Sequence, residues 1–121
     1  MEETPSTLWE IAFYQDARGR IPVDEFVQSM QPAEQAAVAR AIDLLRVYGP
    51  LLRKPHVEHI QDKLWELRAG AGRVFYFLYI ERRFVLLHAY RKKSQKAPRR
   101  EIDRALRCME DYIERKRRQD G

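Results

Sequence analysis

One cysteine, Cys108, in 121 residues excludes an intramolecular disulfide and leaves no thiolate cluster for zinc. No apolar run approaches the roughly 20 residues of a membrane-spanning helix. The opening MEETPSTLWE is acidic where a secretory leader has a basic segment followed by an apolar one, so a cytoplasmic protein is expected. Histidines at metal-ligand spacing are nearly absent too. His56 and His59 in PHVEHI stand three apart, but no third ligand accompanies them, and no metal or cofactor is expected. There is no internal repeat and no linker, which points to a single domain over residues 1–121.

What the chain has in quantity is positive charge, unevenly placed. The net charge is +5. Residues 1–62 hold 6 Lys or Arg against 10 Asp or Glu, whereas residues 63–121 hold 17 against 8. A balance of −4 followed by one of +9 suggests a cationic face for nucleic acid or for an acidic protein. A plainly solvated basic surface is the alternative, since charge alone is weak evidence.

Periodicity gives the elements. Leu8 to Tyr14, LWEIAFY, is rich in β-formers and reads as a strand. Pro22 opens a helix with Val23, Phe26, Val27 and Met30 on one face, and Pro32 opens an alanine-rich second helix ending near Gly49-Pro50. KLWELRA, RVFYFLYI and FVLLHAYRKK then alternate as strands joined by short turns, an antiparallel meander. Pro98 opens a last helix to about Arg118, with Ile102, Ala105, Leu106, Met109, Tyr112 and Ile113 as its apolar stripe. The fold class is α+β: an antiparallel sheet packed against an N-terminal helical hairpin, with a C-terminal helix.

Strict alternation assigns faces. It puts Trp65/Leu67, Val74/Leu78/Ile80 and Val85/Leu87/Ala89 on the hairpin. The opposite face collects Glu66, Arg68, Arg73, His88, Tyr90 and Lys92, with Phe75, Phe77 and Phe84 as core beneath the C-terminal helix. Cations that neutralise phosphates, set among rings that stack on bases, suit single-stranded nucleic acid. Residues 84–90, FVLLHAY, run directly into RKKSQKAPRR, which carries six Lys or Arg. Arg99 and Arg100 then fall in the first turn of a helix, where each basic residue is unfavourable by roughly 0.3–1 kcal/mol. Ala97, at the expected N-cap, offers no acceptor, a loss of about 1 kcal/mol relative to Ser or Asp. An anion bound at the helix start offsets both.

KLWELR, GRVFYF and VLLHAYRKKSQKAPRREID, together with PVDEFVQSM and LLRVYGP, resemble the HigB-like, phage-derived branch of the RelE/ParE toxin superfamily. The chain departs from that pattern at Gly72, often Tyr, at Ala89, often Gly, and at Ser94 and Ala97, where Thr is usual. The resemblance implies a RelE-like fold and a type II toxin acting as a ribosome-dependent, metal-independent mRNA endoribonuclease. It implies as partners the ribosome, mRNA and a cognate antitoxin, often with a helix-turn-helix DNA-binding domain. A ParE-like gyrase poison or a non-catalytic regulator shares the fold.

RNA cleavage by side chains needs a deprotonated 2′-OH, a stabilised phosphorane and a protonated leaving group. Resemblance and chemistry together make Arg68 and Arg73 candidates for the scissile phosphate and His88, Lys92 or Glu66 for proton transfer. Lys93, Lys96, Arg91, Arg99, Arg100 and Tyr90 are the expected RNA-binding residues.

Overall fold

A computed structural model describes residues 8–120. Residues 1–7, on which the expectation of no secretory leader partly rests, lie outside the described residues. The chain forms strand β1 (Glu10–Phe13), helices α1 (Pro22–Gln28) and α2 (Pro32–Tyr48), and a 3-10 turn at Gly49–Leu51. Strands β2 (Val57–Gln61), β3 (Leu64–Ala69), β4 (Gly72–Ile80) and β5 (Arg83–Arg91) follow, then helix α3 (Arg99–Asp120). The sheet order is β1-β5-β4-β3-β2. All neighbours are antiparallel except β1 and β5, which run parallel with Ile11 opposite Phe84. The architecture is the expected α+β, consistent with a RelE-like fold, and VEHIQ adds an edge strand that its sequence does not announce. Among the described residues no helix is long and apolar enough to cross a membrane.

Two cores sandwich the sheet. The hairpin side buries Val38, Ala41 and Leu45 of α2 against Val57, Leu67, Val74, Tyr76 and Leu86. Fully burying an aliphatic side chain such as Leu45 is worth about 1.5–3 kcal/mol. Helix α2 starts with Pro32 in its first turn and a capping box in which Glu34 Oε1 accepts the Gln31 backbone N–H at 3.0 Å. It ends at Gly49, whose φ of +55° brings its backbone so close to the Trp9 ring that a side chain there has no room.

The α3 side packs Ala105 and Met109 on Leu64, Phe75, Phe77, Val85 and Leu87. Phe77, Tyr79 and Tyr112 meet edge to face, with centroids 5.2–6.2 Å apart. Polar ties hold the start and the middle of α3. Arg99 Nη1 donates to Gln61 Oε1 of β2 at 3.0 Å, and Tyr14 Oη, just past β1, donates to Asp111 Oδ2 at 2.7 Å. Helix α3 therefore crosses the sheet from one edge strand to the other.

A β-bulge in β5 overturns part of the face assignment. Phe75 pairs with His88 but Tyr76 pairs with Leu86, which leaves Leu87 as an extra residue. Phe84 and Leu86 consequently face the hairpin while Val85 and Leu87 face α3, the reverse of the expectation. Beyond the bulge the phase returns: Ala89 packs toward the hairpin and Tyr90 toward α3. Val74 and Leu67 pack on the hairpin as expected, but Trp65, Leu78 and Ile80 stay 37%, 36% and 52% exposed because the helices do not reach that end of the strands.

Candidate nucleic-acid interface and active site

The bulge matters because it places Leu87 and His88 on the same side of β5. His88 and Tyr90 thus point toward α3 without removing Val85 and Leu87 from the core there. Phe75 is the platform between them, stacking on His88 at 6.3 Å and 6° and on Tyr90 at 5.4 Å and 24°. Below the surface, Tyr90 Oη donates to Glu66 Oε2 at 2.6 Å, and Arg73 Nε lies 3.9 Å from Glu66 Oε1. Glu66 and Arg73 are 5% and 8% exposed. Burial, and then the bond to Glu66, holds the Tyr90 phenol well above its ordinary range, so Tyr90 stays protonated and serves as a donor.

Arg73 is further committed. Its Nη1 donates to the carbonyls of Gly70 and Gly72 at 2.7 and 2.9 Å, locking the turn between β3 and β4. Gly70 occupies that turn at a φ of +62°. Arg68, the cross-strand neighbour of Arg73, donates through Nη2 to Glu58 of β2, an acceptor on the strand that the sequence does not announce. Its Nε is buried with no hydrogen-bond partner among the described residues. Glu66, Arg73 and Tyr90 are therefore brought together as a buried triad, with Arg68 beside it.

His88 sits at the surface end of this platform. His88 Nε2 donates to Glu101 Oε1 at 2.6 Å, the two side chains being 13% and 16% exposed. A carboxylate only accepts, so Nε2 carries a proton, and in the neutral imidazole the lone pair is then on Nδ1. Glu101 is not among the expected site residues. Its sequence signal is its position in the first turn of α3, where a carboxylate complements the macrodipole that Arg99 and Arg100 oppose. The helix begins one residue later than expected, with the Pro98 carbonyl accepting the Glu101 and Ile102 N–H groups at 3.0 and 3.1 Å. Pro98, not Ala97, stands at the cap, and neither side chain offers an acceptor.

The remaining cations divide. Lys92, Lys93 and Lys96 are exposed on the β5–α3 loop and make no ion pair among the described residues, and Arg100 is 78% exposed and 3.8 Å from Glu101. Lys93, Arg100, Glu101, Arg104, His88 and Tyr90 line one cleft of about 310 Å³. Arg91 also borders this cleft, but its guanidinium is committed elsewhere. It faces the hairpin, where Nη1 and Nη2 meet Glu34 at 2.6 and 3.2 Å. Arg99 is turned to Asp103 and Gln61, at 3.1 and 3.0 Å. His59 Nε2 lies 2.7 Å from the Asp62 carbonyl and its ring packs on Trp65, while His56 is exposed. Among the described residues no three His, Cys, Asp or Glu side chains are grouped to hold a metal ion.

This arrangement of sheet, bulge and basic loop coincides with a family pattern. Residues 25–110 match the family model described as Phage derived protein Gp49-like (DUF891). The chain belongs to this family. Gp49-like proteins are part of the HigB/RelE-like toxin group. The matched span runs from α1 to the middle of α3 and includes the platform, the His88–Glu101 pair and the lysine loop. No curated protein matches the chain.

Proposed function

We propose that this Gp49-like protein is the toxin of a type II toxin–antitoxin pair and acts in the cytoplasm as a ribosome-dependent mRNA endoribonuclease. The observation that carries this reading is the His88–Glu101 pair, 2.6 Å apart, opening onto a cleft where Lys93, Arg100 and Arg104 have no partner among the described residues beyond Glu101 itself. Lys92, Lys93, Lys96 and Arg100 bind the RNA backbone. His88 takes the 2′-OH proton through Nδ1 as the 2′-oxygen attacks the adjacent phosphorus. The 5′-oxygen leaves with a proton, from Lys92 or from water, giving a 2′,3′-cyclic phosphate and a 5′-hydroxyl end. Side-chain cations hold the charge of the phosphorane, so the scheme needs no metal.

Of Arg68 and Arg73, Arg68 is the one that can turn to the scissile phosphate, because exchanging Glu58 for phosphate offers its buried Nε an acceptor. Glu66, Arg73 and Tyr90 hold the platform from below. The neutralising partner is an antitoxin, with a helix-turn-helix domain of its own, that presents acidic groups to the same cations. Induced expression in a bacterial host is the test: growth stops and full-length mRNA disappears before translation recovers. Growth arrest with intact mRNA and lost supercoiling contradicts the reading and identifies a gyrase poison.

A further inference from the structure

A second, larger cleft adjoins the first. About 790 Å³ in volume, it lies between α3 and the segment from Tyr14 to Phe26. His88 and Arg104 line both clefts, so the histidine stands between two connected grooves rather than at the end of one. Arg100, Arg104 and Arg107 follow one another along α3 at helical spacing, on a single face. They span about 10 Å of helix axis. Arg104 and Arg107 are exposed and make no hydrogen bond or ion pair among the described residues, unlike Arg115, Arg117 and Arg118 farther along, which pair with Asp111 or Glu114.

The acidic groups of the larger cleft are mostly occupied. Asp16 accepts the backbone N–H groups of Arg18 and Arg20, both at 2.9 Å, and Asp111 is bound by Tyr14 and Arg115. Glu25, on the α1 wall, is the carboxylate left over, and it repels a polyanion toward α3. Phe26 beside it offers a half-buried ring for stacking.

We propose that Arg104 and Arg107 form a track that carries single-stranded RNA past His88, so that the strand occupies both clefts and the scissile bond is internal. This rests on the RNA-cleaving reading and extends it: phosphates on one side of the cleaved bond meet Lys93 and Arg100, and those on the other meet Arg104 and Arg107. Neither arginine belongs to the basic run at residues 91–100, so the track comes from the fold and not from that run.

Binding of a fluorescent 2′-O-methylated dodecaribonucleotide, which cannot be cleaved, tests the track by anisotropy across a KCl series. In Arg104→Gln/Arg107→Gln the affinity at low salt is expected to fall about tenfold or more. The salt slope should flatten by about 1.4, from about 0.7 for each phosphate left without its arginine. Arg117→Gln/Arg118→Gln removes the same charge from the far end of the helix and is expected to bind like the parent. Equal losses in both variants mean a general charge effect and overturn the track. An unchanged Arg104→Gln/Arg107→Gln overturns it while leaving the RNA reading in place, and a parent protein with no salt-dependent binding removes both.

Discussion

His88 Nε2 and Glu101 Oε1 lie 2.6 Å apart across the junction of β5 and α3. The carboxylate fixes which ring nitrogen is protonated, and the Phe75 ring stacks on the imidazole and limits its tilt. His88→Gln keeps a donor for Glu101 but removes the proton acceptor. RNA cleavage is expected to fall by about 10²–10⁴, with the melting temperature nearly unchanged. Glu101→Gln should lower turnover less, and mainly through kcat, because it misorients the imidazole without removing it. Single-turnover cleavage rates beside thermal melts separate these outcomes from simple unfolding.

Tyr90→Phe tests the buried triad. Glu66 is 5% exposed and loses its closest partner, keeping Arg73 at 3.9 Å. A stability loss of about 1–3 kcal/mol is expected from the stranded acceptor. Urea unfolding with an unchanged m-value and a lower midpoint is the supporting result, and an unchanged midpoint shows that the bond contributes nothing.

Arg73→Ala should unfold the protein more readily than any change in the lysine loop. It removes two bonds to the Gly70–Gly72 turn and the countercharge to Glu66, a loss of about 3 kcal/mol or more. Lys92→Ala, Lys93→Ala and Lys96→Ala are exposed changes expected within about 0.5 kcal/mol of the parent, yet each should weaken RNA binding. Paired melts and binding titrations check the contrast.

Arg91 and Glu34 tie the end of β5 to the start of α2. The Arg91 guanidinium, and then the Gln31 backbone N–H, lower the Glu34 carboxyl from its ordinary 4.5 to about 2. The folded value lies below the unfolded one, so this stabilisation is complete above about pH 4.5 and is lost as pH falls toward about 2. Arg91→Gln is expected to remove that part of the acid sensitivity and to leave RNA binding intact. Thermal melts from pH 2 to 6 measure it, and parallel pH profiles for parent and variant contradict it.

The elements legible in the sequence are those with long or strongly periodic patterns: both hairpin helices, β3 to β5 and the stripe of α3. Strand β2 escapes such a reading because VEHIQ is short, lies at the sheet edge and is polar at Glu58, His59 and Gln61, leaving Val57 as its one fully buried side chain. The bulge at Leu87 is illegible for a different reason. Period-two alternation assumes an unbroken strand, and FVLLHAY is apolar on both faces, so nothing in it marks where the phase slips. The site is legible as a set of residue types but not as roles. Glu66 and Arg73 look like surface chemistry in a linear pattern, and only the pairing of Arg73 with two carbonyls and of Glu66 with Tyr90 shows them buried. Glu101, Arg104 and Arg107 escape notice because they belong to a helix that reads as an ordinary amphipathic cover.

The most direct test of the central claim is incubation of the purified protein with ribosomes programmed with a defined mRNA, followed by analysis of the ends produced. Discrete internal cleavages bearing 2′,3′-cyclic phosphate and 5′-hydroxyl ends, lost in His88→Gln, are the predicted result. Intact mRNA under these conditions, or cleavage that persists undiminished in His88→Gln, contradicts the account.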